Sequence, residues 1–187
     1  MAKGGIISAV QENSLAQELE LVPGDKIVAI NGQELTDIID LSFALADEEI
    51  EMLVEHADGE QEIIGFEKDV DEELGAEFES AVFGKIRQCA NNCYFCFVDQ
   101  VASDMRSSLY IKDDDYRLSF LYGNFITMTN LNAQDLERIK RLHLSPLYVS
   151  VHTTNPELRA QMLRQQRAGL IMEQLHALNE AQVQYHT

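Results

Sequence analysis

Through the first eighty residues short apolar stretches, one of them alternating with polar positions, are separated by turn residues, the pattern of strands and short helices. Residues 4–10 (GGIISAV) read as a buried strand, and Asn13-Ser14 opens a short helix over residues 15–21. Pro23-Gly24-Asp25 is a turn signal, and residues 26–30 alternate before Asn31-Gly32, a strong two-residue hairpin signal. Residues 37–46 fit a second helix, and residues 50–56 and 61–66 fit two strands joined at Asp58-Gly59. From residue 82 strands and helices alternate: strands at 83–88, 118–122 and 147–151, helices at 133–142, 156–163 and 170–181, and a fourth strand opening at 183–187. Such an order predicts a parallel sheet with right-handed crossovers. The fold class expected is therefore α/β, with an α+β domain at the N-terminus.

Charge sharpens the division. Residues 1–80 hold 22 acids against 3 lysines, a net −19, whereas residues 81–187 are near neutral at +1. The shift predicts domains over 1–80 and 81–187, and the acidity argues against nucleic-acid binding by the first. No stretch approaches the roughly 20 apolar residues of a membrane span, and the first residues do not read as a signal peptide. A cytoplasmic protein with reduced thiols is the expectation.

All three cysteines, Cys89, Cys93 and Cys96, fall within eight residues as C-x3-C-x2-C. Three soft thiolates on one short arc suit an iron-sulfur cluster or a thiophilic metal better than a disulfide. Three ligands also leave one coordination position for a non-protein group or for a distant residue. Zinc completed by His143, His152 or His186 is the chemical rival. Phe83 to Gln88, read as a strand, would deliver this loop at its C-terminal end, where α/β proteins place their sites. Asp113-Asp114-Asp115 reads as a helix cap or solvated loop, since consecutive carboxylates converge poorly on one ion. Ser150 and His152, two apart on the third expected strand, would share a face. His56, His143, His176 and His186 show no partner pattern, and no nucleophile with its base is legible.

The cysteine spacing, with Phe95 before the third cysteine, resembles the signature of radical S-adenosylmethionine enzymes. Strand, short helix, PGD turn, strand and NG resemble a PDZ domain. With residues 112–120 (KDDDYRLSF), 122–125 (YGNF) and 146–152 (PLYVSVH), the chain resembles a bacterial family of PDZ-containing radical S-adenosylmethionine, iron-sulfur oxidoreductase-like proteins. The resemblance implies a [4Fe-4S] cluster on Cys89, Cys93 and Cys96, with S-adenosylmethionine at the remaining iron and Phe95 near its adenine. It implies cofactor contacts at Tyr122, Gly123 and Asn124, although Asn124 stands where relatives carry a charged residue, and at Ser150 and His152. It implies a partial (β/α) barrel, of which this chain would be the first half, and an electron donor such as flavodoxin or ferredoxin. PDZ domains bind peptide ends by strand addition, so a peptide partner is implied too. Leu74-Gly75-Ala76-Glu77-Phe78 could supply the peptide-binding loop by circular permutation. The alternative is a non-catalytic adaptor carrying a metal-stabilised domain.

Overall fold

A computed structural model describes residues 4–187. The chain divides into two compact units, Met1–Lys85 and Ile86–Thr187. The first holds a six-stranded antiparallel sheet. Its strands are β1 (Gly5–Val10), β2 (Lys26–Ile30), β3 (Gln33–Glu34), β4 (Glu49–Glu55), β5 (Gln61–Glu67) and β6 (Ala76–Phe78), ordered β5-β4-β2-β1-β6 with β3 on β2. A period of two appears in β4, whose Ile50, Met52 and Val54 are buried while Glu49 and Glu51 face water. These side chains meet Ile7, Ile27, Ile30 and Leu35 in one core.

Two helices close that core. α1 (Leu15–Glu18) is capped by the Ser14 hydroxyl, and α2 (Ile38–Ala44) by buried Asp37, whose carboxylate accepts from the Asp40 N–H at 3.0 Å. Gly75, at φ +72°, lets the chain turn into β6; a Cβ there would lie 2.3 Å from the Ser14 Cβ. Positive φ and this clash together predict that Gly75→Ala costs about 2 kcal/mol or more. Urea unfolding checks this, with Gly59→Ala, also at positive φ but in open space, as the milder control. His56, which the sequence left without a partner, sits 3.1 Å from Asp25 and 3.3 Å from Glu62, and both hold its pKa above the ordinary value.

The second unit carries a parallel sheet of β7 (Phe125–Ile126), β8 (Leu147–Val149) and β9 (Tyr185–His186), in that order. Helices α4 (Ala133–Arg141), α5 (Pro156–Leu163) and α6 (Ile171–Glu180) form the connections. Ile126, Leu147, Val149, Leu163 and Ile171 are buried within this unit.

Two expected strands are corrected. Residues 118–122 are not a strand but part of helix α3 (Tyr116–Tyr122): Asp115 caps its N-terminus and Gly123, at φ +76°, ends it in the left-handed conformation. Residues 83–88 form no ladder: Phe83 and Gly84 lie in a bend, and the segment contributes only the single bridge Gln88↔Asp113.

Candidate functional site

The cysteine loop is held by its main chain. The Cys89 N–H donates to the Lys112 carbonyl at 2.7 Å, beside the Asp114 N–H donating to the Arg87 carbonyl at 2.9 Å. Further along, the Asn92 N–H donates to the Leu163 carbonyl at the end of α5. Between these anchors Asn91 is buried, its amide donating to the Thr127 hydroxyl at 2.8 Å and its oxygen accepting from the Thr129 hydroxyl at 2.9 Å. The Asp114 carboxylate completes the knot, accepting from the Thr127 N–H and hydroxyl. Every buried polar group in this knot has a partner, which is what fixes a polar network in a single arrangement. The loop is thus tied to the residues that follow β7.

All three cysteines are unpaired thiols and line one cavity of about 480 Å3. Phe95, Gly123, Asn124, Ser150 and His152 line it as well. The Phe95 and His152 rings touch at 5.1 Å between centroids, tilted by 51°. Asn124 donates its amide to Asp113 at 2.8 Å, leaving its oxygen as the atom it can offer a ligand. Tyr122, 65 % exposed on α3, is not among the lining residues. Ser150 and His152 are not on a strand: β8 ends at Val149, and the loop beyond it carries both to the cavity, with His152 at φ +63°. Their shared location therefore comes from a turn and not from strand alternation.

Burial is the main influence on the charged groups here. It raises the Cys89 and Cys93 thiols above their ordinary range, each reinforced by a neighbouring thiol, while Lys112 and Arg159 pull Cys93 the other way. Burial also raises Asp114 and lowers His152, the latter helped by Arg159. Cation binding must therefore displace protons from these thiols. Among the described residues no three His, Cys, Asp or Glu side chains are drawn together tightly enough to hold a metal ion.

Sequence reasoning missed three members of this neighbourhood. Arg159 is fully buried, and its guanidinium donates to the carbonyls of Thr127, Ser150, Val151 and Ala168. Asn91 and Asp114 were the others, and Asp114 and Asp115 are buried where a solvated loop was one expectation. Only the position of Asn91 inside the cysteine motif could have drawn attention to it.

In the first unit a second cavity, about 450 Å3, lies between α2 and β6. Leu41, Leu45, Leu74 and Phe78 give it apolar walls, and β6 is an edge strand bonded to β1 on one side.

A family model described as a PDZ domain matches residues 6–56. No curated protein matches the chain. No helix of the described residues is long and apolar enough to cross a membrane. A second family model, described as a Radical SAM-like domain, matches residues 68–187, well over half of the sequence, and the chain belongs to that family.

Proposed function

We propose that this chain is a radical S-adenosylmethionine enzyme, or part of one, acting on a substrate the site does not identify. The observation that carries the reading is that the chain's three cysteines line one cavity together with an aromatic ring and the polar side chains of Asn124 and Ser150. The donor set suits a [4Fe-4S] cluster with one iron left open: three soft thiols on a loop anchored at both ends, near the cations Lys112 and Arg159. Cys89, Cys93 and Cys96 would hold the cluster. Phe95, braced by the tilted His152 ring, would offer a flat apolar surface to the adenine of S-adenosylmethionine. Gly123, Asn124 and Ser150 would meet its polar end, with Tyr122 nearby on α3. When bound, the two cofactors supply a one-electron reductive cleavage that starts radical chemistry. The chain's own residues fix the loop and shield the cavity. The parallel order β7-β8-β9 supports a sheet of the kind a partial (β/α) barrel is built from.

Anaerobic reconstitution with iron and sulfide tests this. Brown protein is expected, with a paramagnetic signal on reduction that shifts when S-adenosylmethionine is added. Colourless protein holding a single zinc would replace the enzyme by a metal-stabilised adaptor.

A second reading concerns the first unit, because a sheet edge beside a cavity with apolar walls is what strand addition requires. There β6 would accept a partner's extended segment, with Gly75 at the head of the groove, as a circularly permuted PDZ domain would.

A further inference from the structure

Extended segments that add to β6 must pass the charges at the mouth of its groove. Asp71, Glu72 and Glu73 all line that mouth, immediately before Leu74 and Gly75, and none of the described residues lining the cavity is Lys or Arg. Three carboxylates beside the loop create a negative potential that the lysines among residues 1–80 do not cancel. Of the lysines among residues 1–80, Lys26 is paired with Glu55 at 3.3 Å, and Lys68 is buried, its ammonium donating to the carbonyls of Asp69 and Val70. Lys3 lies outside the described residues. Against net −19 over these residues, a partner's free carboxyl terminus would be repelled where a PDZ groove ordinarily receives one.

Resting on the strand-addition reading above, we infer that this groove selects an internal, cationic strand: a partner's extended segment in which lysines or arginines alternate with apolar residues. Apolar side chains of one face enter the cavity over Leu41, Leu45 and Phe78. The alternate cationic residues meet Asp71, Glu72 and Glu73. Successive side chains of a strand point to opposite faces, so the cationic ones leave the cavity and reach the exposed carboxylates at its rim through their long, flexible stems. Charge complementarity of this kind favours encounter and discriminates against wrong partners, and it weakens with salt.

Fluorescence anisotropy with the full chain tests the inference using three labelled decapeptides. One alternates lysine and valine with both ends blocked, one replaces the lysines by glutamates, and one is the lysine-valine peptide with a free carboxyl end. The blocked lysine peptide is expected to bind saturably, at least about tenfold tighter than the glutamate peptide and tighter than the free-ended one, with affinity falling as salt rises. Glu72→Lys with Glu73→Lys should weaken it at least about tenfold. Ser42→Trp, which puts an uncharged bulk on the exposed groove wall of α2, should block it. Equal binding of lysine and glutamate peptides, or preference for the free end, overturns the cationic selection while leaving strand addition standing. Binding that survives Ser42→Trp overturns the selection as a property of this groove. Absence of binding by all three peptides overturns both.

Discussion

Cys93→Ala is expected to abolish iron-sulfur loading while leaving the fold in place. A complete cluster brings about four irons per chain, and removal of one of three protein ligands should reduce retained iron after anaerobic desalting to well under one. The fold should survive because the thiol of Cys93 is only part-buried, and the main-chain oxygen of Cys93 accepts from the Cys96 N–H whatever the side chain. Such a truncation costs under about 1 kcal/mol, which circular dichroism melting would confirm. The same thiols set a pH dependence. Their pKa values are raised by burial, so at neutral pH more of each thiol is protonated than in an exposed cysteine, and ligation must release those protons. Reconstitution yield should therefore rise between pH 7 and pH 8.5, the direction of thiolate formation. Full iron content in Cys93→Ala would remove the ligand assignment.

The first unit was readable because its signals are local. Pro23-Gly24-Asp25, Asn31-Gly32 and Asp58-Gly59 each fix a turn within two or three residues, and the alternation of β4 shows which face is buried. The second unit was harder for two physical reasons. An apolar run such as Leu118 to Leu121 fits a short strand or a helix equally well by periodicity; the deciding residues are Asp115 and Gly123 outside it, whose caps satisfy the ends of α3. Residues 83–88 failed differently. Whether an extended segment joins a ladder depends on a partner strand far along the chain, which local pattern does not contain.

Candidate chemistry followed the same division. Cysteines gathered in one motif announce themselves, whereas the residues that hold the motif are scattered over separate segments. Asn91, Thr127, Thr129 and Asp114 form one network only because β7 and the cysteine loop meet in space. Residues 156–163 (PELRAQML) read as a helix, a pattern that says nothing about where its arginine goes; tertiary structure carries Arg159 into the interior.

That arginine carries the largest stability effect expected of a single substitution. Its Nε donates to the Val151 carbonyl at 2.8 Å, one Nη to Ala168 at 2.6 Å, and the other to Thr127 at 3.0 Å and Ser150 at 2.8 Å. The acceptors lie just past β7, just past β8 and in the turn before α6, so one planar fork ties three chain segments under the cavity wall. Arg159→Met keeps most of the apolar volume but removes a donor from four carbonyls, of which Val151 still accepts from the Thr153 N–H at 2.7 Å. At about 1–3 kcal/mol for each unsatisfied group, and with water entering to relieve some of them, a loss of about 3–5 kcal/mol is expected. Arg159→Lys retains the charge with three donors on a single atom, which cannot reproduce a planar fork, and should fall between the two. Hydrogen exchange locates the effect: amides of β7 and β8 should exchange faster, while those of β2 and β4 in the first unit keep their protection. A loss below about 1 kcal/mol in Arg159→Met would mean that the four carbonyls find other donors, and the guanidinium would then not be what holds the cavity's floor.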